Sequence, residues 1–535
     1  MDAEKTADRR HKPGVESANT PGGGSIMSLA RDVTTVGGGT LVSRLLGYAR
    51  DSAIAALLGA GPLAEAFFAV FQVVNFFRRL LAEGALNSAF APLWLGLRGG
   101  ADGEANADRL TRRSLVTMFC LTGAVAMLTI VFAPNVVAVI APGFDRGRAT
   151  LAAIFLMLAA PYVVLAGMIA VLAAALNAER RVAAVTVSTI IFNLVMAIAL
   201  IAVWPHGADF ATGIRLTEAI VAAAAIQLLI VGIAWLKSGA RFRRVGMAAP
   251  DRTRTMFARA WPGLIAAGIP QLKLIAGAAI ASASPAAVSW LYYAYRLYEL
   301  PLGVASIAIA AVIGPRIAAS LGDEKDAAAV QSRAYEIGLG LALPAAAGFA
   351  LLASPIAAGL FEHGAFGPHD TEAVAAALAA ICAGLPGHIL EKVFGAIAFA
   401  RGDTRTPMLT ALCGLAAAIG FGLLLFPRFG HVGVAAAIAI SGWAGAGLLG
   451  AILYRRGWLR LDLQGRMRLP RIVLAAVAMA GIVLAAYLAM PPPVTFLWQI
   501  VQLAALVSLG IAAYTAALQL FGAVRVKDLL AAIKA

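Results

Sequence analysis

The sequence predicts an all-α polytopic membrane protein with about fourteen transmembrane helices: two halves of six helices each, plus two C-terminal helices. Three observations carry this. Of 535 residues, 61% are hydrophobic and only 13% charged, where an ordinary soluble domain is about 25% charged. Apolar runs near the roughly 20 residues needed to cross a bilayer recur along the whole chain. The basic residues, finally, alternate between successive connections.

The elements follow in order. Residues 1–26 ("RRHKPGVESANTPGGGS" within them) are polar and rich in Gly and Pro, which predicts a disordered cytoplasmic tail. No short apolar segment with a cleavage site follows, so a signal peptide is not expected. Residues 27–236 form the N-terminal lobe, with spans at 29–58, 64–97, 114–141, 149–177, 182–204 and 216–236. A basic cytoplasmic linker, 237–257, leads to the C-terminal lobe at 258–454. Its spans are 258–282, 287–315, 334–360, 374–400, 406–426 and 432–454. A basic cytoplasmic loop, 455–471, precedes the last pair, 472–490 and 495–521, within the segment 472–535 that ends in a cytoplasmic C-terminus. The division into halves rests on span count, because no strong internal repeat is visible. Transporters built from such halves place their sites between them, near mid-membrane.

Charge sets the orientation. With a cytoplasmic N-terminus, the tails and the even-numbered connections ("AERR", "RGDTR" and "RRGWLRLDLQGRMRLPR" among them) hold 32 of the 43 Lys and Arg. The odd-numbered connections hold Arg146, Arg148, Arg215 and Arg428. This is the positive-inside pattern. The net charge of +15 therefore reports topology rather than a nucleic-acid surface. Cys120, Cys382 and Cys413 have no metal-ligand spacing and read as buried small hydrophobes. The six histidines form neither HExxH nor a Cys/His cluster, and no phosphate-binding G-x-x-x-x-G-K-[ST] loop is present. These absences point away from an enzyme and from any resident cofactor or metal.

The candidate site consists of charges inside spans. Seven cations lie there: Arg44, Arg50, Arg78, Arg79, Lys273, Arg296 and Lys392. Five acids accompany them: Asp51, Glu65, Glu83, Glu299 and Glu391. A cation at the bilayer centre costs roughly 3 kcal/mol on insertion scales. Arg44 and Asp51, seven residues apart, share a face of one helix, with Arg50 offset by about 120°. Arg79 and Glu83 are spaced i,i+4, and Arg296 and Glu299 i,i+3, so each pair can form locally. Arg44, Arg78, Arg296 and Lys273 have no obvious local partner. One reading is that the ions neutralise one another and hold helices together. The surplus of cations favours an anionic ligand in a wet cavity, because guanidinium matches phosphate geometry. Glu65 is either an exposed end charge or a gate that pairs with Arg50 when the outer side closes. Ser289 and Ala55, small residues at a similar level, permit close helix contact. Lys273 and Lys392 stay open between structure and function.

"SRLLGYARD", "AEAFFAVFQVVNFFRRLLAEGALNSAFAP", "APGF", "SWLYYAYRLYELPLGV", "FEHGAFGPHDT" and "FARGDTRTP" together resemble the MurJ/MviN family of bacterial lipid II flippases, members of the multidrug/oligosaccharidyl-lipid/polysaccharide exporter superfamily. The resemblance runs from about residue 27 to the C-terminus. It implies two lobes around a cationic cavity, a lipid groove formed by the last two helices, and alternating access. The implied activity moves undecaprenyl-pyrophosphate-linked disaccharide-pentapeptide from the inner to the outer leaflet of the cytoplasmic membrane. It also implies cavity arginines at Arg44, Arg50, Arg78 and Arg296, essential acids at Glu83 and Glu299, and an outer-gate carboxylate at Glu65. Many members have Asp at that last position, and some have Asp where this chain has Tyr295. The implied partners are lipid II, membrane lipids and peptidoglycan-synthesis proteins, with no nucleic acid. The membrane potential or a coupling cation is the expected energy source. The nearest rival is a cation-coupled exporter of drugs or other oligosaccharide-lipids on the same fold. A drug exporter would favour cavity carboxylates. A membrane-embedded glycosyltransferase would need a metal-supporting acidic loop, and "GDEKDAAA" reads more simply as a solvated loop.

Overall fold

The computed structural model describes residues 24–82, 85–98, 103–239, 253–309, 314–493 and 495–523. Most of the expected tail and linker, and Glu83, lie outside the described residues. The described secondary structure is helical. In chain order the α-helices are α1 (Gly24–Leu58), α2 (Pro62–Ala82), α3 (Ala85–Arg98), α4 (Gly103–Val131), α5 (Ala133–Ile140), α6 (Arg146–Ala159), α7 (Pro161–Ala178), α8 (Val182–Val203), α9 (Phe210–Leu236) and α10 (Thr253–Ala281). They continue with α11 (Ala287–Ala308), α12 (Gly314–Ala319), α13 (Glu324–Leu351), α14 (Ala353–Phe361), α15 (Pro368–Cys382), α16 (Leu385–Ala400), α17 (Arg405–Arg455), α18 (Leu463–Ala489) and α19 (Phe496–Leu520).

Among the described residues, eight helical stretches are long and apolar enough to cross a membrane, or nine if the bent pair α15–α16 counts as one span. The expected spans 29–58, 258–282 and 287–315 fall on α1, α10 and α11, and span 64–97 on α2 and α3, with residues 83–84 outside the described residues. Span 114–141 breaks between α4 and α5, span 149–177 between α6 and α7, and span 334–360 between α13 and α14. The breaks have a local cause: Phe132, Ala160, Leu352 and Gly384 each stand just ahead of a helix with proline in its opening residues. Proline lacks the N–H that would continue the preceding helix. At Gly384 the axis turns by 41°. The expected spans 406–426 and 432–454 join as the 51-residue α17, divided at Gly430, whose backbone is non-helical (φ 55°, ψ −138°).

Helix starts follow polar caps. Asp145 accepts from the Arg148 N–H, Asp209 from Thr212, Asp323 from Lys325 and Asp462 from Gly465. Asp403, in the connection before α17, accepts from the Thr406 N–H at 2.9 Å and from Arg456 at 2.5 Å. Partial burial works against its charge, but these bonds prevail and hold its carboxyl at about 2.

Packing defines two bundles. In the first, α8 lies against α1 and α9, while α7 contacts α3, α4 and α9. In the second, α17 packs on α10, α15 and α16. α10 also rests on α2 and α3, and α11 on α2, so these two helices join the bundles. α18 docks on α13, and α19 on α18 and α14. Apolar side chains cover the outer surface: Val139 and Ile201 are exposed at 75% and 74%, as lipid contact requires. Cys382 is buried, but Cys120 and Cys413 are exposed. The expectation of three buried cysteines fails because a small apolar residue is equally at home facing lipid.

Candidate functional site

At the end carrying loops 59–61, 141–145, 282–286 and 362–367, the bundles meet tightly. Phe68 stacks on Tyr292 with centroids 4.0 Å apart, and Tyr293 lies against Phe361 and Phe366. Ala365 N–H donates to the Ala56 carbonyl at 2.8 Å. Gly143 N–H donates to Ser282 Oγ at 2.9 Å, and Ser52 Oγ to the Leu360 carbonyl. A Cβ on Gly364 would lie 2.2 Å from the Ala56 carbonyl oxygen, so this seam requires glycine.

Beyond the seam is a cavity of about 670 Å³. α1 supplies Arg44, Tyr48 and Arg50; α2 supplies Gln72, Asn75, Arg78 and Arg79. α11 adds Tyr292, Tyr295, Arg296 and Glu299, and α16 adds Lys392. Asp51, fully buried, stands behind this wall. It accepts two bonds from Arg50, at 3.0 and 2.7 Å, and one from Arg296 Nε at 2.5 Å. Arg50 also donates to Asn193 Oδ1 at 3.0 Å. Glu299 accepts from Arg296 Nη1 at 3.2 Å and from Arg79. The result is a chain, Arg50–Asp51–Arg296–Glu299–Arg79, running across α1, α2 and α11. Among the described residues, the wall carries six cations, five of them arginines, against the carboxylates of Asp51 and Glu299.

Arg44 is different. It has no ion pair or hydrogen bond among the described residues, and its guanidinium lies against α11 where Gly303 leaves room; a Cβ there would be 2.5 Å from Nη1. Gly47 makes the same space for Arg296, at 2.6 Å from Nη2.

The structure revises several local expectations. Arg296 is not short of a partner: Asp51 comes to it from a helix 245 residues away in sequence. Arg79 reaches Glu299 on α11; its expected i,i+4 partner Glu83 lies outside the described residues. Glu65 lies outside the cavity wall. Its partner in this conformation is Arg148, not Arg50, at 2.8 Å, and its other oxygen accepts from the Val288 N–H at 3.4 Å. Arg148 also bonds Asp145 at 2.8 Å, and the Arg148 N–H and guanidinium hold the Asp145 carboxyl below its ordinary range. Sequence reasoning placed Arg148 in a loop; the capping Asp145 was the signal that it opens a helix. Ser289 is fully buried near the start of α11, with no hydrogen-bond partner for its hydroxyl among the described residues. Lys273 is buried against Gly414 and Lys392 lines the cavity. No cluster of acids, histidines or cysteines able to hold a metal occurs among the described residues.

Fold and cavity define an all-helical polytopic membrane protein, two bundles around a cationic cavity. A solved inward-facing MATE-family multidrug transporter matches with TM-score 0.65 at 15% identity, over 78% of this chain and 95% of that one. A solved lipid II flippase MurJ in an inward-closed conformation matches with TM-score 0.77 at 21% identity, over 92% and 99%. In sequence, a Rhizobium meliloti (strain 1021) protein named "Probable lipid II flippase MurJ" is 39% identical over 464 residues, covering 85% of this chain and 86% of the relative. The family model described as lipid II flippase MurJ matches residues 54–502. The chain belongs to the MurJ family.

Proposed function

We propose that this chain is a lipid II flippase. It moves the undecaprenyl-pyrophosphate-linked peptidoglycan precursor from the inner to the outer leaflet of the bacterial cytoplasmic membrane, with no covalent change, for cell-wall synthesis. The observation that carries this reading, beside family membership, is the surplus of guanidinium groups in a cavity within the membrane. Desolvated arginine is costly, and a pyrophosphate is a ligand that offsets the cost through charge-assisted bonds. Arg44, Arg50, Arg78 and Arg296 are the proposed phosphate contacts. Asp51 and Glu299 position two of them, and Glu65 with Arg148 clasps the seam end.

In this reading both termini are cytoplasmic and the closed seam is the outer gate. The headgroup enters the cavity from the inner side while the isoprenoid stays in lipid, with α18 and α19 as its groove. The two bundles then rock apart at the seam. Cavity cations couple this motion to the membrane potential, at about 2.3 kcal/mol per charge per 100 mV. Cationic drugs suit the same cavity poorly, because like charge repels them. The test is transport by the purified chain in proteoliposomes. Translocation of lipid II but not of a cationic dye is expected; the reverse preference would replace this reading with the exporter one.

A further inference from the structure

Five side-chain amides line the cavity: Gln72, Asn75, Asn193, Gln227 and Gln271. Three are engaged. Asn75 accepts from Arg78, Asn193 bridges Arg50 and Ser43, and Gln227 donates to the Ser188 carbonyl. The other two carry buried atoms without a partner among the described residues: Gln72 Oε1, an acceptor, and Gln271 Nε2, a donor. Buried polar atoms are rarely left unmet, and an exception calls for a physical reason.

Their placement supplies one. α2 runs away from the seam and α10 towards it, and the two helices pack together. A Cβ on Gly268 of α10 would meet Phe76 and Leu80 of α2, which places the two helices in direct contact there. Gln72 is ten residues from the seam end of α2 and Gln271 ten from that of α10, so both lie about 15 Å in at 1.5 Å per residue. Arg50 and Arg296 are eight and nine residues from the seam ends of their helices, at nearly the same depth. An unmet acceptor and an unmet donor thus stand on adjacent walls beside the guanidinium chain.

We infer that Gln72 and Gln271 form a second subsite of this cavity, one that recognises a secondary amide of the headgroup while the arginines hold its pyrophosphate. A secondary amide brings one N–H and one C=O, the complement of this pair as it stands or with both glutamine amides flipped together. Rotation about the terminal torsion of each glutamine is soft, so each amide can turn to the ligand. The subsite rests on the flippase reading. Its amide comes either from an acetamido sugar or from the peptide.

The test measures binding of three probes to the full purified chain and to Gln72→Leu and Gln271→Leu: undecaprenyl pyrophosphate, the undecaprenyl-pyrophosphoryl disaccharide with both N-acetyl sugars but no peptide, and lipid II. Each variant should bind lipid II about tenfold more weakly and bare undecaprenyl pyrophosphate as the parent does, which also shows that it is folded. Loss on the peptide-free probe as well assigns the sugar amide; loss on lipid II alone assigns the peptide. Unchanged affinity for both amide probes, with or without a fall in melting temperature, would mean that the glutamines serve only each other and would overturn the subsite. A parent that binds bare pyrophosphate and lipid II equally would overturn it too. A parent that binds none of the three overturns the flippase reading and the subsite with it.

Discussion

Asp51 and Arg44 show how differently two charges seven residues apart can be used. Asp51 is buried and anchors both Arg50 and Arg296. Removing it leaves the buried Arg50 without a carboxylate and Arg296 with Glu299 alone, a loss of about 3–5 kcal/mol. Asp51→Ala should therefore lower the melting temperature of the detergent-solubilised protein sharply. Arg44 has no such partner, so Arg44→Ala should stay within about 0.5 kcal/mol of the parent; equal destabilisation by both would contradict the assignment of roles. At Gly303, a leucine would occupy the space against the Arg44 guanidinium, and lipid II binding should fall with little change in stability. Asp403 gives a pH prediction. Its carboxyl is held at about 2, below an unfolded value near 3.9. Its contribution is complete above the unfolded value and is lost as pH falls towards about 2. A thermal-unfolding series from pH 5 to pH 2 should show Asp403→Asn losing less stability than the parent. The sequence singled out Arg44, Arg50, Arg296 and Glu299 as charges within expected spans, and all four line the cavity. It did not reveal that Arg296 reaches Asp51, because ion pairs between distant helices leave no spacing signal.

Among the elements, the breaks matter most. Apolar run length marked where the chain crosses, and the proline-led segments explain why several crossings divide into two helices. The long α17 was legible as two spans because "FPRFGH" interrupts the run, with Gly430 at the turn. The seam was not legible. It depends on Gly59, Gly143 and Gly364 meeting backbone from the opposite bundle, and a glycine in a loop looks the same whether it turns or packs. Gly364→Val combines a left-handed φ of 59° with a clash against the Ala56 carbonyl. It should weaken closure of this end. Disulfide formation between cysteines placed at Ala56 and Ala365 measures that: efficient in an otherwise parental chain, and reduced several-fold with Gly364→Val. Undiminished cross-linking would show that the seam tolerates the side chain.

For the molecule as a whole, two bundles closed at one end around a cationic cavity form a device for passing an anion between leaflets. The central claim is that the lipid's pyrophosphate meets these arginines, with Arg44 kept unpaired for it. The most direct measurement is the amount of lipid II reaching the outer leaflet in cells depleted of their own flippase. Such cells would express either the parental chain or Arg44→Ala at matched abundance. The account predicts transport restored by the parent and lost with Arg44→Ala. Equal transport by both would remove Arg44 from the path, and no transport by a well-inserted parent would contradict the flippase reading itself.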